Sequence, residues 1–384
     1  MEYNCAVDTR SFYIHWPFCP YRCHFCPFVA ISGQDHLMGQ YHKALMKEII
    51  TFAEKTAPLG PLETIYLGGG TPSTWPNELL LDMFGILRDT FDLSKISEIT
   101  LEANPGTVQK EQLAVWKEAG ITRLSIGVQS LDDEVLKKLN RHQKVSDVYQ
   151  LINWAQHEFD ALSVDLIIGL PGIEEAQWKS MIHEVVQWPV NHISMYFLSI
   201  HENTPLYTRL VKNELTLPPE DPIVDLYYWT VEAFAKAGLE QYEISSFARA
   251  GFQAQHNQVY WERKPYKGFG IGSCSFDGQR RLQNIKNVMH YMKLLEEGKD
   301  IEASSELLTP EQIRLEKVML GLRRMKGLVI SDVLHDMTDQ ERNRFMYNMQ
   351  EFEIEGLVKQ SGGILYLNKS VVAVENEVAL RLLQ

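Results

Sequence analysis

Between residues 11 and 198 the chain runs through six strand-helix units in succession, and that alternation limits the folds open to it. The β-rich runs are Ser11 to His15, Thr64 to Leu67, Ile99 to Leu101, Arg123 to Val128, Leu162 to Ile168 and His192 to Leu198. Between them lie stretches with apolar residues at helical spacing: Tyr41 to Lys55, Asn77 to Leu87, Glu111 to Ala119 closed by Gly120, Asp132 to Leu139, Val145 to His157 and Glu174 to Val186. Such a pattern predicts a parallel sheet with helices outside it. Six units are too few for a closed eight-fold barrel. The expected fold class is therefore α/β, an open partial (β/α)6 TIM-like barrel, with further strands around Glu240 to Ile244 and near residue 270. The polar and glycine-rich turns fall just after the strands, at the edge where barrel folds build their sites.

From Thr309 the texture changes. Thr309 as cap, Pro310 at the first position and Gln312 three residues on read as a helix start. Helical patterns at Gln312 to Met325 and Asp339 to Glu355 precede two short β runs around Gly362-Gly363 and a last helix from about Val372. This suggests a small winged-helix-like domain that docks on the barrel mouth, binds a partner or stabilises the fold. The divisions expected are 1–240 for the barrel, 241–305 for an extension of it and 306–384 for the C-terminal domain.

Composition narrows the function classes. A net charge of -13 argues against nonspecific nucleic-acid binding, which rests on Lys and Arg neutralising phosphates. The first residues, Met-Glu-Tyr-Asn-Cys-Ala-Val-Asp, are acidic and lack the apolar core of a signal peptide. No apolar run approaches the ~20 residues of a membrane span. Five cysteines, three of them in one loop, do not make a disulfide framework, and the reducing cytoplasm is the expected compartment.

Those three, Cys19, Cys23 and Cys26, are spaced Cys-x3-Cys-x2-Cys just after the first strand. Three thiolates closing on one loop can hold three irons of a [4Fe-4S] cube and leave the fourth iron open to a small molecule. A zinc site would need a fourth ligand, and His24 is poorly placed between the cysteines. Buried free thiols are a further reading, but the local Pro and Arg content suits a loop better than a core strand. The other strand ends add polar groups. Gly68-Gly69-Gly70-Thr71-Pro72 either brings backbone close to a ligand or makes a tight turn. Glu102 and Asp165 are carboxylates that accept from hydroxyls or an amine, or else lie solvated. Gln129 and Arg141 add an amide and a permanent cation.

Taken together, Tyr13-Ile-His15, the cysteine loop, GGGTP at 68 to 72, EANPGT at 102 to 107, SIGVQS at 125 to 130 and DLIIGLPG at 165 to 172 resemble the HemN/HemW group of radical S-adenosylmethionine (SAM) proteins. The resemblance extends over nearly the whole chain, through Gln255-His256-Asn257-Gln258-Val259-Tyr260-Trp261 and Gly268 to Gly272. It implies a radical SAM barrel with a [4Fe-4S] cluster on Cys19, Cys23 and Cys26. It also implies SAM contacts at Tyr13, Gly69, Gly70, Thr71, Glu102, Gln129, Arg141 and Asp165, with Phe25 shielding the cluster. Oxidases of the group, which decarboxylate coproporphyrinogen III in haem synthesis, carry a further cysteine two residues past the last ligand, where this chain has Phe28. An aromatic there, a short N-terminus and the His-Asn-x-x-Tyr-Trp segment resemble the haem-chaperone branch instead.

That resemblance implies haem as a further ligand and recipient haem proteins as partners. It also implies an electron donor such as a flavodoxin or ferredoxin, and leaves room for peripheral membrane association and a homodimer. Two readings fit His256: an axial haem ligand with Tyr260 and Trp261 stacked on the porphyrin, or a hydrogen-bonded histidine beside an aromatic core. Relatives often carry Gly-Ala-His after the Gly-Ile-Gly run; here Cys274-Ser275-Phe276 stands nearby, and Cys274 is either a thiolate ligand or a buried inert thiol. A haem chaperone is the leading expectation. A radical SAM enzyme (coproporphyrinogen oxidase, methyltransferase or cyclopropanase) and a pure binding protein with a structural or sensing cluster are the competing ones.

Overall fold

The computed structural model describes residues 9–56, 59–335 and 337–384, so Cys5 and the N-terminal stretch read above lie outside it. The six expected strands are present as Ser11–Trp16, Thr64–Gly69, Glu98–Ala103, Arg123–Gln129, Ala161–Ile168 and His192–Phe197, all parallel neighbours in chain order. The two anticipated extensions lie on opposite edges. Lys267–Phe269 pairs in parallel with the first strand, while Ser246–Ala248 pairs antiparallel with the sixth and carries Glu240–Glu243 outside it. The resulting nine-stranded sheet is parallel-dominated and open at both edges.

The strands obey a period-two rule that parallel strands, usually apolar on both faces, often lack. One face carries Ile65, Leu67, Ile99, Leu101, Leu124, Ile126, Val164, Leu166 and Ile193, all buried. The helices Met38–Lys55, Asn77–Thr90, Lys110–Ala119, Val145–Ala155 and Glu175–Val185 pack their apolar residues into that same core, including Leu45, Ile49, Phe84, Trp116, Leu151 and Ile182. The other face is polar, and register carries the polarity across the sheet. Tyr66 stands beside Thr100, Glu102 beside Ser125, Ser163 beside His192 and Asp165 beside Ser194. Glu102, Ser163 and Asp165 there have hydrogen-bond partners, which is what makes a polar interior tolerable, while the buried Thr100 hydroxyl has none among the described residues.

The short helix Gln255–Trp261 closes the end of the sheet where strands begin. Its first amides, Gln255 and His256, donate to the Glu98 carboxylate at 2.9 and 3.0 Å, a carboxylate cap at a helix N-terminus. This corrects one reading of His256. Its side chain is fully buried. Nδ1 is hydrogen-bonded to Thr64 Oγ1 and Nε2 to the Tyr260 hydroxyl, both at 2.8 Å. Burial lowers its pKa to about 3 and keeps the ring neutral. Neither nitrogen is presented to a haem iron, so the histidine is part of the polar floor.

Helix Glu220–Lys236 and the antiparallel sheet Cys274–Phe276, Arg280–Asn284, Glu302–Leu307 are not legible from sequence periodicity. The C-terminal elements pair as expected: Val358–Ser361 and Ile364–Leu367 form a hairpin, joined by Leu328–Val329, beside helices Pro310–Arg323, Asp339–Ile354 and Glu375–Leu383. Among the described residues no helix is long and apolar enough to cross a membrane.

A buried carboxylate locks the edge strand to the first helix. Glu48 accepts from the Gly270 amide at 2.8 Å, the Asn284 amide at 2.9 Å and the Tyr291 hydroxyl at 2.6 Å, with Lys267 Nζ at 3.7 Å. Removing it strands three donors and one cation. Glu48→Ala is expected to lose about 3–5 kcal/mol in urea unfolding, against a small loss for an exposed control such as Glu54→Ala; equal losses would show that the cluster is not a structural lock.

Candidate functional site

The cysteine loop is held by backbone bonds to one strand end and two helix ends, because a loop without its own ladder must place its amides elsewhere. The Gly70 amide donates to Trp16 O at 2.7 Å and the Thr71 amide to Phe18 O at 2.9 Å. The His24 amide donates to Leu139 O at 2.9 Å, and Leu206 donates to His24 O at 2.9 Å. At the loop's exit His15 Nε2 meets Val29 O at 2.8 Å. A carbonyl only accepts, so Nε2 carries the proton and Nδ1 accepts from the Tyr13 hydroxyl at 3.0 Å.

Two glycines are required by this packing. A Cβ on Gly70 would stand 2.5 Å from Pro17 O and 2.8 Å from Phe18 O; one on Gly69, whose φ is +117°, would meet the His15 ring at 2.7 Å. The GGGTP turn therefore seats the cysteine loop, in addition to any part it has in approaching a ligand.

Above the strand ends lies a cavity of about 360 Å³. Cys19, Cys23, Cys26, Phe25, Gly69, Gly70, Thr71, Glu102, Gln129, Arg141 and Asp165 all line it, so the fold gathers most of the predicted site residues in one place. Tyr13 and His256 do not line it. Tyr13 stacks behind Tyr66, with ring centroids 6.1 Å apart, and spends its hydroxyl on His15, so it acts as a positioning residue for the loop. Sequence reading missed Tyr66, Asn104, Ser125 and Tyr196, which also line the cavity. The signal that would have found three of them is the period-two polarity of strands 64–69, 123–129 and 192–197.

The thiols are unequal. Cys19 is buried, which pushes its pKa up to about 11, and the Thr71 hydroxyl donates to its sulfur at 3.2 Å. Cys23 and Cys26 are half-buried, and burial also raises Cys26. Among the described residues no three His, Cys, Asp or Glu side chains close on a single point as one metal ion would require; thiolates on three corners of a cube need no such convergence. The loop's donor set of three cysteines fits a [4Fe-4S] cluster with one iron free of protein ligands.

The buried charge in the cavity is divided between two carboxylates and a guanidinium that do not neutralise one another. Glu102 accepts from the Tyr66 hydroxyl at 2.8 Å and the Gly69 amide at 3.3 Å. Burial, with Asp165 nearby, still raises its pKa from 4.5 to about 7. Burial likewise raises Asp165, which accepts from Ser125 Oγ at 3.2 Å. Arg141 is buried and donates to neutral acceptors: Gln143 Oε1 at 2.9 Å, Gly127 O and Asn104 Oδ1, with Cys23 Sγ at 3.6 Å. The lining carries two carboxylates and the buried Arg141 guanidinium, with the exposed Arg22 as a second guanidinium. SAM carries an ammonium, a sulfonium and a carboxylate, a net charge of +1, and its charges complement those of the cavity.

At the rim, Phe28 is 65% exposed, two residues past Cys26. Phe25 turns the other way and packs with the apolar group around Leu139, Ile167 and Leu206. Cys274 is exposed, which corrects the reading of it as a buried thiol, and it lies outside this cavity.

Comparison with known proteins agrees with this geometry. Residues 13–185 match the radical SAM superfamily. The chain is 34% identical over 375 residues to the heme chaperone HemW of Bacillus subtilis, covering 96% of this chain and 98% of that protein. It is 32% identical over 361 residues to heme chaperone HemW of Synechocystis, covering 92% and 87%. Its fold is similar to that of coproporphyrinogen III oxidase (HemN) from Escherichia coli, at a TM-score of 0.85 and 22% identity over 98% of this chain and 91% of that one. The chain is a radical SAM protein and belongs to the HemW family.

Proposed function

We propose that this chain is a haem chaperone that holds a [4Fe-4S] cluster on Cys19, Cys23 and Cys26, and SAM in the adjoining cavity. On this reading it passes haem to recipient haem proteins, and a flavodoxin or ferredoxin reduces the cluster. The observation that carries the cofactor part is the placing of groups in one cavity: two carboxylates and the buried Arg141 guanidinium stand beside three cysteines, partners for the ammonium and the carboxylate of SAM at an iron open to its amino-acid end. The haem part rests on the HemW names of the relatives.

In this reading Cys19, Cys23 and Cys26 would hold a cluster whose chemistry, once bound, would be one-electron reduction of SAM. The chain's own groups bind and orient. Arg141, fixed by Asn104, Gln143 and Gly127, faces the SAM carboxylate. Glu102 and Asp165 accept from the ammonium and ribose hydroxyls, and Gln129 adds an amide. Thr71 fixes Cys19. The parallel sheet is taken as the open six-unit barrel of residues 1–240, extended by 241–305, and residues 306–384 as its winged-helix-like companion.

The reading excludes the decarboxylation carried out by the oxidase branch. Cluster-loaded protein given coproporphyrinogen III, SAM and a reductant should form no vinyl product; steady turnover would replace the chaperone reading with an oxidase.

Glu102 gives a pH test. Its folded pKa lies above its unfolded one, so the folded chain holds that proton more tightly. Its contribution to stability is present below pH 4.5 and is lost as pH rises through about 7, a loss on the order of 3 kcal/mol when fully expressed. Between pH 5 and 8, urea unfolding of the ligand-free chain should lose stability relative to Glu102→Gln, and SAM should flatten that difference. A wild-type-minus-variant difference that is already flat without SAM would contradict the raised pKa, and a slope that SAM leaves unchanged would contradict the cation-binding role.

A further inference from the structure

The cavity over the cluster is poorly suited to haem, because Glu102 and Asp165 would repel its propionates. A second cavity, of about 520 Å³, has a different character. It lies between the end of the Gln255–Trp261 helix and the sheet that begins at Cys274. Tyr260, Trp261, Tyr266 and Phe276 form aromatic walls, and the Tyr260 and Tyr266 rings meet edge to face at 4.7 Å.

Its charged lining is three cations, Arg263, Lys264 and Arg281, against one carboxylate, Glu306. Lys264 is paired with Glu262 at 2.8 Å, while behind the cavity Glu316 is shared by two guanidiniums, Arg263 at 2.9 Å and Arg281 at 2.8 Å, so one carboxylate serves those two positive charges. One nitrogen of Arg263, Nη2, is buried with no hydrogen-bond partner. The cationic excess occurs on a chain of net charge -13, and so marks a place for an anion.

Cys274 lines the same cavity from the strand Cys274–Phe276, fixed by pairing with Gln283. The other donor side chains are less free to ligate. The Tyr260 hydroxyl is engaged by His256, and burial pushes Tyr266 up to about 12, away from phenolate. A thiolate is a known type of axial ligand to haem iron.

We infer that this second cavity is the haem seat, with Cys274 as the axial ligand, the aromatic walls on the macrocycle and Arg263, Lys264 and Arg281 toward the propionates. The inference rests on the haem-chaperone reading above and assigns its haem to residues other than His256. A planar, iron-bearing dianion satisfies the three features of the cavity together: ring stacking, positive charge and a soft donor.

The test is a hemin titration of the full, cluster-loaded chain, followed by the Soret band and by the ferrous carbon monoxide spectrum that reports thiolate ligation. Wild type should bind one equivalent with a thiolate signature. Cys274→Ser, a change at an exposed position, should bind at least tenfold more weakly and lose that signature. Arg281→Ala should weaken binding and keep the signature, and His256→Ala, checked for folding by circular dichroism, should keep both. Wild-type affinity and spectrum in Cys274→Ser would overturn the assignment while leaving haem binding intact. A wild type that takes up no hemin would overturn the haem-chaperone reading along with it.

Discussion

The α-carbon of Gly70 lies against the carbonyls of Pro17 and Phe18 with no room for a side chain, and the cysteine loop depends on that contact. It lets the Gly70 and Thr71 amides bond to the loop's entrance and sets the Thr71 hydroxyl on Cys19. His15, oriented by Tyr13, fixes the exit at Val29. The loop is therefore held by the first two strands before any ligand is considered. Its cysteines face a cavity floored by the polar face of the same sheet. That face is possible because polar residues meet polar neighbours across the register, so the strands can be lined with Tyr, Glu, Ser and Asp that bond to one another, the Thr100 hydroxyl being left without a partner among the described residues.

Electrostatics then divides the molecule into two sites of different taste. Over the strand ends, two carboxylates stand opposite the buried Arg141, with Arg22 exposed in the same lining, and offer partners of both signs. On the other cavity, cations outnumber the carboxylate and aromatic rings supply flat walls. The helix Gln255–Trp261 relates to both parts of the fold. Its start seals the polar floor through Glu98 and His256, while its end contributes Tyr260 and Trp261 to the second cavity.

The strand-helix alternation was legible because period and turn chemistry are local, and the six strands fall where the runs predict. Edge placement was not legible: the run near residue 270 and the run at 240 both read as strands, but only pairing shows that they lie on opposite edges. Most of the cavity was legible, because Cys19, Gly69, Glu102 and Gln129 lie at or near strand ends, while Asp165 stands inside its strand and Arg141 follows the helix Asp133–Lys138. Tyr66, Ser125 and Tyr196 were missed because they stand inside strands, and a run identified only as β-rich does not say which of its faces lines a cavity. His256 and Cys274 were harder. A motif does not tell which end of a sheet it closes, so a histidine spent on Thr64 and Tyr260 resembles a ligand. Cys274 lies on a strand only three residues long, and its exposure follows from a sheet that periodicity does not reveal.

The central claim is that three cysteines hold a cluster whose fourth iron is open to SAM. The most direct measurement is the paramagnetic resonance spectrum of the reconstituted, reduced cluster with and without SAM, beside a Cys23→Ala control. The account predicts a [4Fe-4S] signal that shifts when SAM is added and is absent from the control. A signal that SAM leaves unchanged would mean that all four irons are already ligated, and would contradict it.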